Sequence, residues 1–570
     1  MATPEDDSRH PTGLGEDIDD DADRAHAQGL TQLFRRSISG LGTFARRLLL
    51  GIVLLVVALI AIRAYLSTQG PPLRPWQTIV PEEADAGAIA KMDWRAYLQA
   101  ETAMFDQVHR KLRSKLEPSD NTPLNRYYDE SLTSPLRFDR DWNRSFVMEP
   151  KGKPRGVAVM LHGLTDSPYS MRSLAQLYRE HGYIALVPRL PGHGTVPAGL
   201  TREGRAEWNA VVDMTMREAQ RRAGNDLPIH LVGYSNGAAL ALLHELRWIE
   251  RGQRSDVDRI VLLSPMIEVN RFARYAGLAG VPAFFSRYAK TAWLDLLPEY
   301  NPFKYNSFPV RAARESYLVT ADLQRSLEAV RRQNRIAQLP PILAFQSVVD
   351  DTVSARAVMQ RLFDVLPDKG SELVLFDVNR SRVLAPMLRP AATNWPRQLL
   401  QQPRDYALTV LGVTSQDDAA VLARSRAAHA PAITAQPIGM AYPAEVYSLS
   451  HVALPFADDD PLYGMHPTGQ GGLRLGAVAV RGERNALLVS QDALSRLGSN
   501  PFHAWMLARI GATLDADDPG SRRCAMGSGW CTCGITMGED SNASSQSRKC
   551  VGAMRAPAAG MSVWSSRIAP

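Results

Sequence analysis

Gly233-Tyr234-Ser235-Asn236-Gly237 is the stretch that decides the fold predicted for this chain, because it fits the pattern G-x-S-x-G between two clear secondary-structure signals. The apolar residues 229–232 are typical of a buried strand, and residues 238–246 are rich in alanine and leucine, which favour a helix. A serine on a tight turn between a strand and a helix is held in an exposed, strained position, and the first N–H groups of the helix point at it. The pattern therefore predicts that Ser235 is a nucleophile, and the alternative is a serine in an ordinary loop.

A second loop supplies the groups that such a nucleophile needs. Residues 156–161 predict another buried strand, which ends at His162-Gly163-Leu164. Acyl transfer requires backbone donors aimed at the developing oxyanion. Where a serine lies on such a turn, these donors come from the residue after the nucleophile and from the loop after an earlier strand. We therefore predict that the N–H groups of Leu164 and Asn236 form an oxyanion hole; a turn with a structural histidine is the alternative.

Three segments, His162-Gly163-Leu164, Pro191-Gly192-His193-Gly194 and the serine pentapeptide, together resemble the α/β-hydrolase family. The resemblance is closest to the branch of monoacylglycerol lipases, lysophospholipases and S33 aminopeptidases, and covers about residues 136–380 and again about 440–510. It implies an α/β fold with a mostly parallel sheet, helices on both faces and a lid insertion after the sixth strand. His193 is as well explained by packing within its loop as by contact with a substrate.

The resemblance also implies the acid of a catalytic triad, in the chain order serine, acid, histidine. Residues 341–346 predict a strand, and the family places its acid in a G-x-x-D-x-x-V pattern at the end of that strand. Asp350 matches this position, with Ser347 in place of the usual glycine. Asp351 is the alternative acid, and its structural role would be a helix cap or a solvated carboxylate.

The histidine has four candidates downstream of the acid: His429, His451, His466 and His503. We predict His451, because it follows the last predicted strand, residues 445–449, where the fold delivers its general base. The spacing from Asp350 is longer than the family usually allows, so residues 380–440 are predicted to be an insertion. His466 is the second candidate, and His503 lies in an apolar helix where packing is the better explanation.

The length of 570 residues predicts a large hydrolase domain with appendages. We place the hydrolase domain at 136–512, with a lid at about 268–340. Disordered polar ends are expected at 1–34 and 513–570, and a helical linker or pre-domain at 69–135. The net charge of +6 is scattered, so no nucleic-acid partner is expected.

No sequence motif indicates a cofactor or a metal. A P-loop, a zinc-ligand spacing and a dinucleotide-binding G-x-G-x-x-G after a strand are all missing from the sequence. The cysteines lie together in the tail and make a poor zinc set, but their restriction to the tail suits an oxidising compartment: Cys524, Cys531, Cys533 and Cys550.

Residues 35–68 predict a membrane anchor. Arg35-Arg36 and Arg46-Arg47 precede an uncharged apolar run over residues 48–62. The arginines favour a cytoplasmic N-terminus, so we predict a single-pass signal anchor with the catalytic domain on the periplasmic side. A cleaved signal peptide, a loosely matching twin-arginine signal and a buried core helix are the alternatives.

The lid region is rich in aromatic and large apolar residues, which suit either an acyl-chain pocket or the lid's own core: Phe272, Tyr275, Phe284, Phe285, Tyr288, Trp293, Leu294, Tyr300, Phe303 and Tyr305. The sequence thus predicts a membrane-anchored serine hydrolase that cleaves small carboxylic esters, of acyl or lipid-like type. An S33-type aminopeptidase would need acidic lid residues to hold a free amine, and Asp295 and Glu299 are the candidates. An inactive hydrolase fold that serves as a scaffold is the non-enzymatic alternative.

Overall fold

A ten-stranded sheet forms the centre of the protein in a computed structural model, which describes residues 45–269, 280–468, 473–478 and 486–516. Its strands, in spatial order, are β1 (Phe146–Met148), β3 (Tyr183–Val187), β2 (Gly156–Leu161), β4 (Ile229–Tyr234), β5 (Arg259–Leu263), β8 (Ile342–Ser347), β9 (Glu372–Phe376), β10 (Ala407–Val413), β11 (Ala420–Arg426) and β12 (Thr434–Ala441). Every pair from β3 to β10 is parallel, and the outer strands β1, β11 and β12 are antiparallel. The predicted α/β architecture, with a mostly parallel sheet, is confirmed.

Helices cover both faces of this sheet, so its central strands are buried along almost their whole length and are mainly apolar. The described helices are α1 (Ala45–Ser67), α2 (Pro75–Thr78), α3 (Ala86–Lys91), α4 (Trp94–Arg113), α5 (Arg172–Glu180), α6 (Arg205–Ala223), α7 (Asn236–Glu250), α8 (Val310–Arg332), α9 (Ala355–Arg361), α10 (Pro390–Gln398), α11 (Gln491–Ser495) and α12 (His503–Ala516). Val157 and Val159 of β2 pack in one core with α6, α7 and α8, whereas Ala158 and Met160 pack in a second core with α5 and α12. Alternate side chains of a single strand thus pack against the helices on opposite faces of the sheet.

The segment between β5 and β8 contains the region expected to be a lid. This segment follows β5, the fifth strand of the large sheet along the described chain, whereas it was expected after the sixth. The count is lower by one because the short β1 is the only strand before β2 in the described residues. Two short 3₁₀ helices, Val281–Phe284 and Ser286–Ala292, lead into a small sheet of β6 (Trp293–Asp295) and β7 (Phe308–Pro309), and α8 follows. Phe272 and Tyr275 lie outside the described residues.

The stretch 380–440, predicted to be an insertion, takes part in the large sheet. It supplies α10 and the three strands β10, β11 and β12, which extend the large sheet beyond β9. The predicted strand at 445–449 does not form: β12 ends at Ala441, and a turn between Pro443 and Val446 follows. Backbone carbonyls of that segment bond to Asn379 instead of to a neighbouring strand, so its short alternating pattern reflects loop packing.

Helix α1 has the length and composition of a membrane span. It contains 23 residues, its most apolar window of 18 residues has a mean hydropathy of 2.7, and none of that window is buried within the protein. At about 1.5 Å per residue such a helix is long enough for the hydrocarbon core of a bilayer. Its exposure rules out the core-helix alternative, while a signal sequence would share the same composition. The predictions for residues 1–34 and 517–570, including the cysteines, fall outside the described residues.

A buried ion cluster joins the N-terminal helices to the loop after β3. The Arg189 guanidinium bonds Glu83 at 2.7 and 3.2 Å and Glu101 at 3.3 Å, and it also donates to the His193 carbonyl at 3.0 Å. Glu83 in turn accepts from the Gly192 N–H at 2.7 Å. Because a buried charge is costly unless it is paired, this cluster fixes the N-terminal helices against the Pro-Gly-His-Gly loop.

Glu203 lies beside this cluster with only 6 % of its surface exposed. Burial, and then the like charges of Glu83 and Glu207, raise its pKa from 4.5 to about 7. The folded state therefore holds the Glu203 proton more tightly than the unfolded state does. The stabilisation is complete below about pH 4.5 and is lost as the pH rises towards 7.

Replacing Glu203 by glutamine is expected to raise the free energy of unfolding at pH 8 by about 1–3 kcal/mol, with little change at pH 4.5, because the buried carboxylate is no longer charged. Urea denaturation at both pH values measures this. Asp226→Asn, at an exposed loop, is the control and should change neither value. An equal gain at both pH values would show that the ionisation of Glu203 is not responsible.

Candidate active site

Ser235 occupies a strained turn between β4 and α7. Its backbone has φ 54° and ψ −114°, a left-handed conformation that is rare for a residue with a side chain. The flanking glycines make the turn possible: a Cβ on Gly237 would lie 2.1 Å from the Leu161 carbonyl oxygen, and one on Gly233 would lie 2.5 Å from the Ala238 nitrogen. The strand–turn–helix context inferred from the sequence is present. However, Ser235 is only 7 % exposed, so the strained residue is more enclosed than expected.

The structure brings the three predicted triad side chains together. Ser235 Oγ lies 3.0 Å from His451 Nε2, and His451 Nδ1 lies 2.8 Å from Asp350 Oδ2. The imidazole thus bridges a hydroxyl and a carboxylate with its two nitrogens. This arrangement lets the carboxylate fix the tautomer in which Nε2 is free to accept the serine proton.

Asp350 is held as a carboxylate by its surroundings. Its Oδ1 accepts from the backbone N–H groups of Thr352 and Val353 at 2.8 and 3.0 Å, and its Oδ2 also accepts from Gln346 Nε2 at 2.9 Å. Burial tends to raise the pKa of Asp350, but the charge and hydrogen bond of His451 and the two backbone donors outweigh it, so the pKa lies below its usual value. Asp350 therefore stays ionised at neutral pH beside the imidazole.

The predicted oxyanion donors lie next to Ser235. Asn236 is the first residue of α7, where a backbone N–H has no acceptor within the helix. The His162-Gly163-Leu164 loop approaches so closely that a Cβ on Gly163 would lie 3.3 Å from Ser235 Cβ. In the described residues, no hydrogen bond from the N–H of Leu164 or of Asn236 is found. Two free amides thus flank the serine.

His162 and His193 hold neighbouring loops together. His162 Nε2 accepts from the Leu190 N–H at 3.0 Å, and the two imidazole rings lie edge to face at 5.0 Å. Burial lowers the pKa of His193 to about 3 and that of His162 well below its usual value, so both rings are neutral. The contacts of His193 with the carbonyls of Leu190 and Pro191 and with the His162 ring show packing within its loop.

The alternative acid and bases lie elsewhere. Asp351 is exposed, and the N-cap of the helix α9 is Ser354 and not Asp351. His429 and His466 are exposed and contact Asp368 and Asp458. His503 is buried at the start of α12 against Ser173, and burial lowers its pKa to about 4.

Asn379 holds the segment that carries His451, although no sequence motif indicates such a role for it. It lies just after β9, where its N–H bonds the Tyr447 carbonyl at 2.9 Å and its Nδ2 bonds the Pro443 and Val446 carbonyls at 3.0 and 3.1 Å. Tyr234 adds a hydrogen bond from its hydroxyl to the His451 carbonyl at 3.1 Å. The chain therefore leaves β9 and returns to nearly the same point before it delivers the histidine.

Asp166 and Lys304 add two titratable groups beside this site. Burial raises the pKa of Asp166 to about 6, against the opposing effects of Lys304 and His451. Burial lowers the pKa of Lys304, opposed by Asp166. The Tyr305 N–H bonds the Thr165 carbonyl at 2.7 Å, which ties the lid next to the loop that carries Leu164. The charge near His451 therefore changes between about pH 5 and 7.

A metal site is not indicated in the part of the chain that the structure describes, where no group of three or more histidine, cysteine or acidic side chains is placed to hold an ion. The arrangement of Ser235, His451 and Asp350 requires none for acyl transfer.

The chain belongs to the α/β-hydrolase family. Residues 158–515 match the model described as the alpha/beta hydrolase family, which is more than half of the chain. The match includes most of β2, the serine turn, and both Asp350 and His451. The fold and the family, first suggested by three short segments of sequence, are therefore confirmed.

Characterised relatives are lipid-ester hydrolases by name. The chain is 28 % identical over 179 residues to a thermostable monoacylglycerol lipase of Bacillus sp. (strain H-257), covering 31 % of this chain and 66 % of that protein. It is 26 % identical over 123 residues to phospholipase YtpA of Bacillus subtilis (strain 168), covering 21 % of this chain and 45 % of that protein. The chain thus spans less than two thirds of the length of either relative.

Solved structures with a similar fold include a metagenome-derived lipolytic enzyme from a study of LipS and LipT, at 23 % identity and a TM-score of 0.33, over 42 % of this chain and 88 % of that one. A soluble variant of monoglyceride lipase from Saccharomyces cerevisiae, in complex with a substrate analogue, matches at 15 % identity and a TM-score of 0.31, over 40 % of this chain and 82 % of that one. These likenesses concern the fold alone.

Replacing Asn379 by alanine is expected to lower kcat for p-nitrophenyl butyrate by about tenfold or more, with KM nearly unchanged, because His451 loses the support that positions it. Steady-state kinetics measure the split, and the melting temperature reports on folding. Ser381→Ala, two residues along the same loop, is the control. A folded Asn379→Ala protein with the original kcat would show that the loop is positioned by other contacts.

Proposed function

We propose that the chain is a membrane-anchored serine hydrolase that cleaves carboxylic esters of acyl or lipid-like type through an acyl-enzyme. The observation that carries the proposal is the continuous hydrogen-bonded line from Ser235 Oγ through the His451 imidazole to Asp350 Oδ2, at 3.0 and 2.8 Å. A nucleophile and base in hydrogen-bond reach, with the base oriented by a third group, is the arrangement that activates a serine.

The reaction follows from these positions. His451 Nε2 takes the proton of Ser235 Oγ as that oxygen attacks the ester carbonyl, and the imidazolium is stabilised by Asp350. The Leu164 and Asn236 N–H groups would hold the negative oxygen of the tetrahedral intermediate. When this intermediate collapses, His451 returns the proton to the leaving alcohol and the acyl group stays on Ser235. Water then attacks the acyl-enzyme with the same base, and the carboxylic acid leaves.

The substrate class rests on the relatives, since the printed names of both curated relatives denote enzymes that act on lipid esters. The lid aromatics do not by themselves define an acyl pocket. Tyr300 and Phe303 are buried in a core of the protein, where Phe303 stacks on Tyr169 at 4.2 Å. These two residues hold the lid in place. The acyl group and the leaving group of the substrate are therefore to be identified by assaying a series of esters.

The aminopeptidase alternative gains no support from the lid acids. Glu299 is buried and accepts from the N–H groups of Asn306 and Ser307 at 2.9 and 2.8 Å, which occupies both of its oxygens. Asp295 is exposed on β6. The scaffold alternative would not need an aligned Ser235, His451 and Asp350. Neither alternative is therefore favoured by a specific observation.

Helix α1 is proposed to be the membrane anchor. Arg46 and Arg47 lie at its start, and basic residues before a span favour the cytoplasmic side. The domain at 136–512 is therefore proposed to lie on the periplasmic side. Residues 69–135 are then a pre-domain next to the membrane, with α3 and α4 packed on the hydrolase core.

Ser235→Ala is expected to reduce ester turnover by about 10⁶-fold in kcat, because the nucleophile and its base act as a unit. Turnover is measured on a series of p-nitrophenyl esters and aminoacyl anilides, and a fluorophosphonate probe should label the wild type but not the variant. Ser114→Ala, at the distant end of α4, is the control and should still be labelled. Unchanged turnover in Ser235→Ala would overturn the proposed mechanism, whereas faster anilide than ester cleavage would favour the peptidase.

A further inference from the structure

Hydrogen bonds join the end of α1 to the base of the lid. Arg63, in the last turns of α1, donates to the Trp293 carbonyl at 2.7 Å and to the Thr291 carbonyl at 3.5 Å. From the other side, Lys290 Nζ donates to the carbonyls of Gln69 and Gly70, just after the helix, at 2.7 and 3.2 Å. The two segments are more than 200 residues apart in sequence, and each donates hydrogen bonds to backbone carbonyls of the other.

The base of the lid is also fixed to the hydrolase domain. Trp293 is buried in a core cluster with Trp76 and with Met104 and Phe105 of α4. Further along, Tyr305 bonds Thr165 in the loop that carries Leu164. The lid segment, which we define as residues 280–309, therefore leads from the end of α1 to the edge of the serine site. Its orientation relative to α1 is set by these contacts.

Two adjacent phenylalanines project from the lid segment beside its contact with α1. Phe284 is 90 % exposed and Phe285 69 % exposed, and Arg287 beyond them is exposed as well. Scattered apolar residues are common at protein surfaces, but an adjacent pair of nearly bare aromatic rings followed by a cation matches the composition of the membrane interface. The contacts with α1 place them near a bilayer if α1 spans one.

The position of Arg63 indicates where the surface of that bilayer would lie. Arg63 directly follows the uncharged run of residues 48–62, and a cation at the end of an apolar span lies at the headgroups. The Trp293 carbonyl, which Arg63 contacts, then also lies at the depth of the headgroups. Tyr65, two residues after Arg63, is exposed, and tyrosine is enriched at membrane interfaces. Phe284 and Phe285 lie within ten residues of Trp293, a short distance in 3₁₀ helices.

We propose that the lid segment docks on the bilayer that holds α1, with Phe284 and Phe285 inserted among the lipids, so that ester substrates reach Ser235 from the membrane. The anchor then does more than tether the enzyme: through Arg63 and Lys290 it holds the lid against the lipid surface. The delivery of substrate rests on the proposed ester hydrolase function, but the docking itself does not.

Bromolipid quenching tests the docking without reference to activity. Full-length Phe284→Trp and Val383→Trp proteins are reconstituted in phosphatidylcholine–phosphatidylglycerol vesicles with and without brominated acyl chains. Val383 is the matched control, because it is 77 % exposed but lies on the connection between β9 and α10. The ten native tryptophans are common to both variants. Stronger quenching of the tryptophan at 284 than at 383 is expected, and equal quenching would overturn the proposal.

A kinetic experiment then tests delivery. The ratio of turnover on a long-chain monoacyl ester in the vesicles to turnover on soluble p-nitrophenyl butyrate is compared between wild type, F284S/F285S and the control V383S/M387S. The ratio should fall about tenfold in F284S/F285S, because two inserted rings are lost, and should be unchanged in the control. An unchanged ratio in F284S/F285S would contradict substrate delivery by the lid. A wild type that cleaves neither ester would instead contradict the proposed function, and the quenching result would still decide the docking.

Discussion

The position of one imidazole is the constraint on which the site depends. His451 must reach Ser235 with one nitrogen and Asp350 with the other, although these partners are 216 and 101 residues away in sequence. The parallel sheet makes this possible, because Ser235 and Asp350 follow β4 and β8, whose carboxyl ends lie at the same edge. The strained turn at Ser235 fixes the hydroxyl, and the backbone donors at Thr352 and Val353 fix the carboxylate. Only the histidine has to be brought in from beyond the last parallel strand.

The long path to that histidine is tolerated because its two ends meet. Between Asn379 and Pro443 the chain builds α10 and the strands β10 to β12, which continue the existing sheet. Strands β10 and β11 bury apolar side chains in the core, while β12 at the edge is largely exposed. The entropic cost of a longer connection grows slowly with its length, so the added strands matter less than the closing contact. Asn379 provides that contact by bonding three backbone carbonyls of the returning segment. An addition to the sheet thus leaves the geometry at His451 intact.

Much of the fold could be predicted from sequence because its signals are local. The glycines around Ser235 are required by contacts with Leu161 and Ala238 that any such turn must make, and the buried strands are apolar runs. The closing contact could not be predicted, since an asparagine that bonds carbonyls over 60 residues away has no local signature. The alternating pattern of residues 445–449 wrongly predicts a strand, because alternation reflects burial alone, which loops share. The sequence still predicts position 451, because it follows the last alternating apolar run, and because His429 and His503 lie in a polar and an apolar stretch that suit other roles.

The N-terminal region is connected to the site by two independent sets of contacts. One is buried and ionic, where Glu83 and Glu101 hold Arg189 and, through it, the loop that also bears His193. The other is polar and peripheral, where Arg63 and Lys290 join α1 to the lid. A buried charge cluster loses much of its free energy when one partner is removed, so it keeps the N-terminal helices in a fixed place. The hydrogen bonds between the end of α1 and the base of the lid are weaker individually, but they are donated from both sides, by Arg63 to the lid and by Lys290 to the carbonyls after the helix. The N-terminal region is thus joined to the serine site along two routes, through the lid that contacts Thr165 and through the loop after β3 that Arg189 holds.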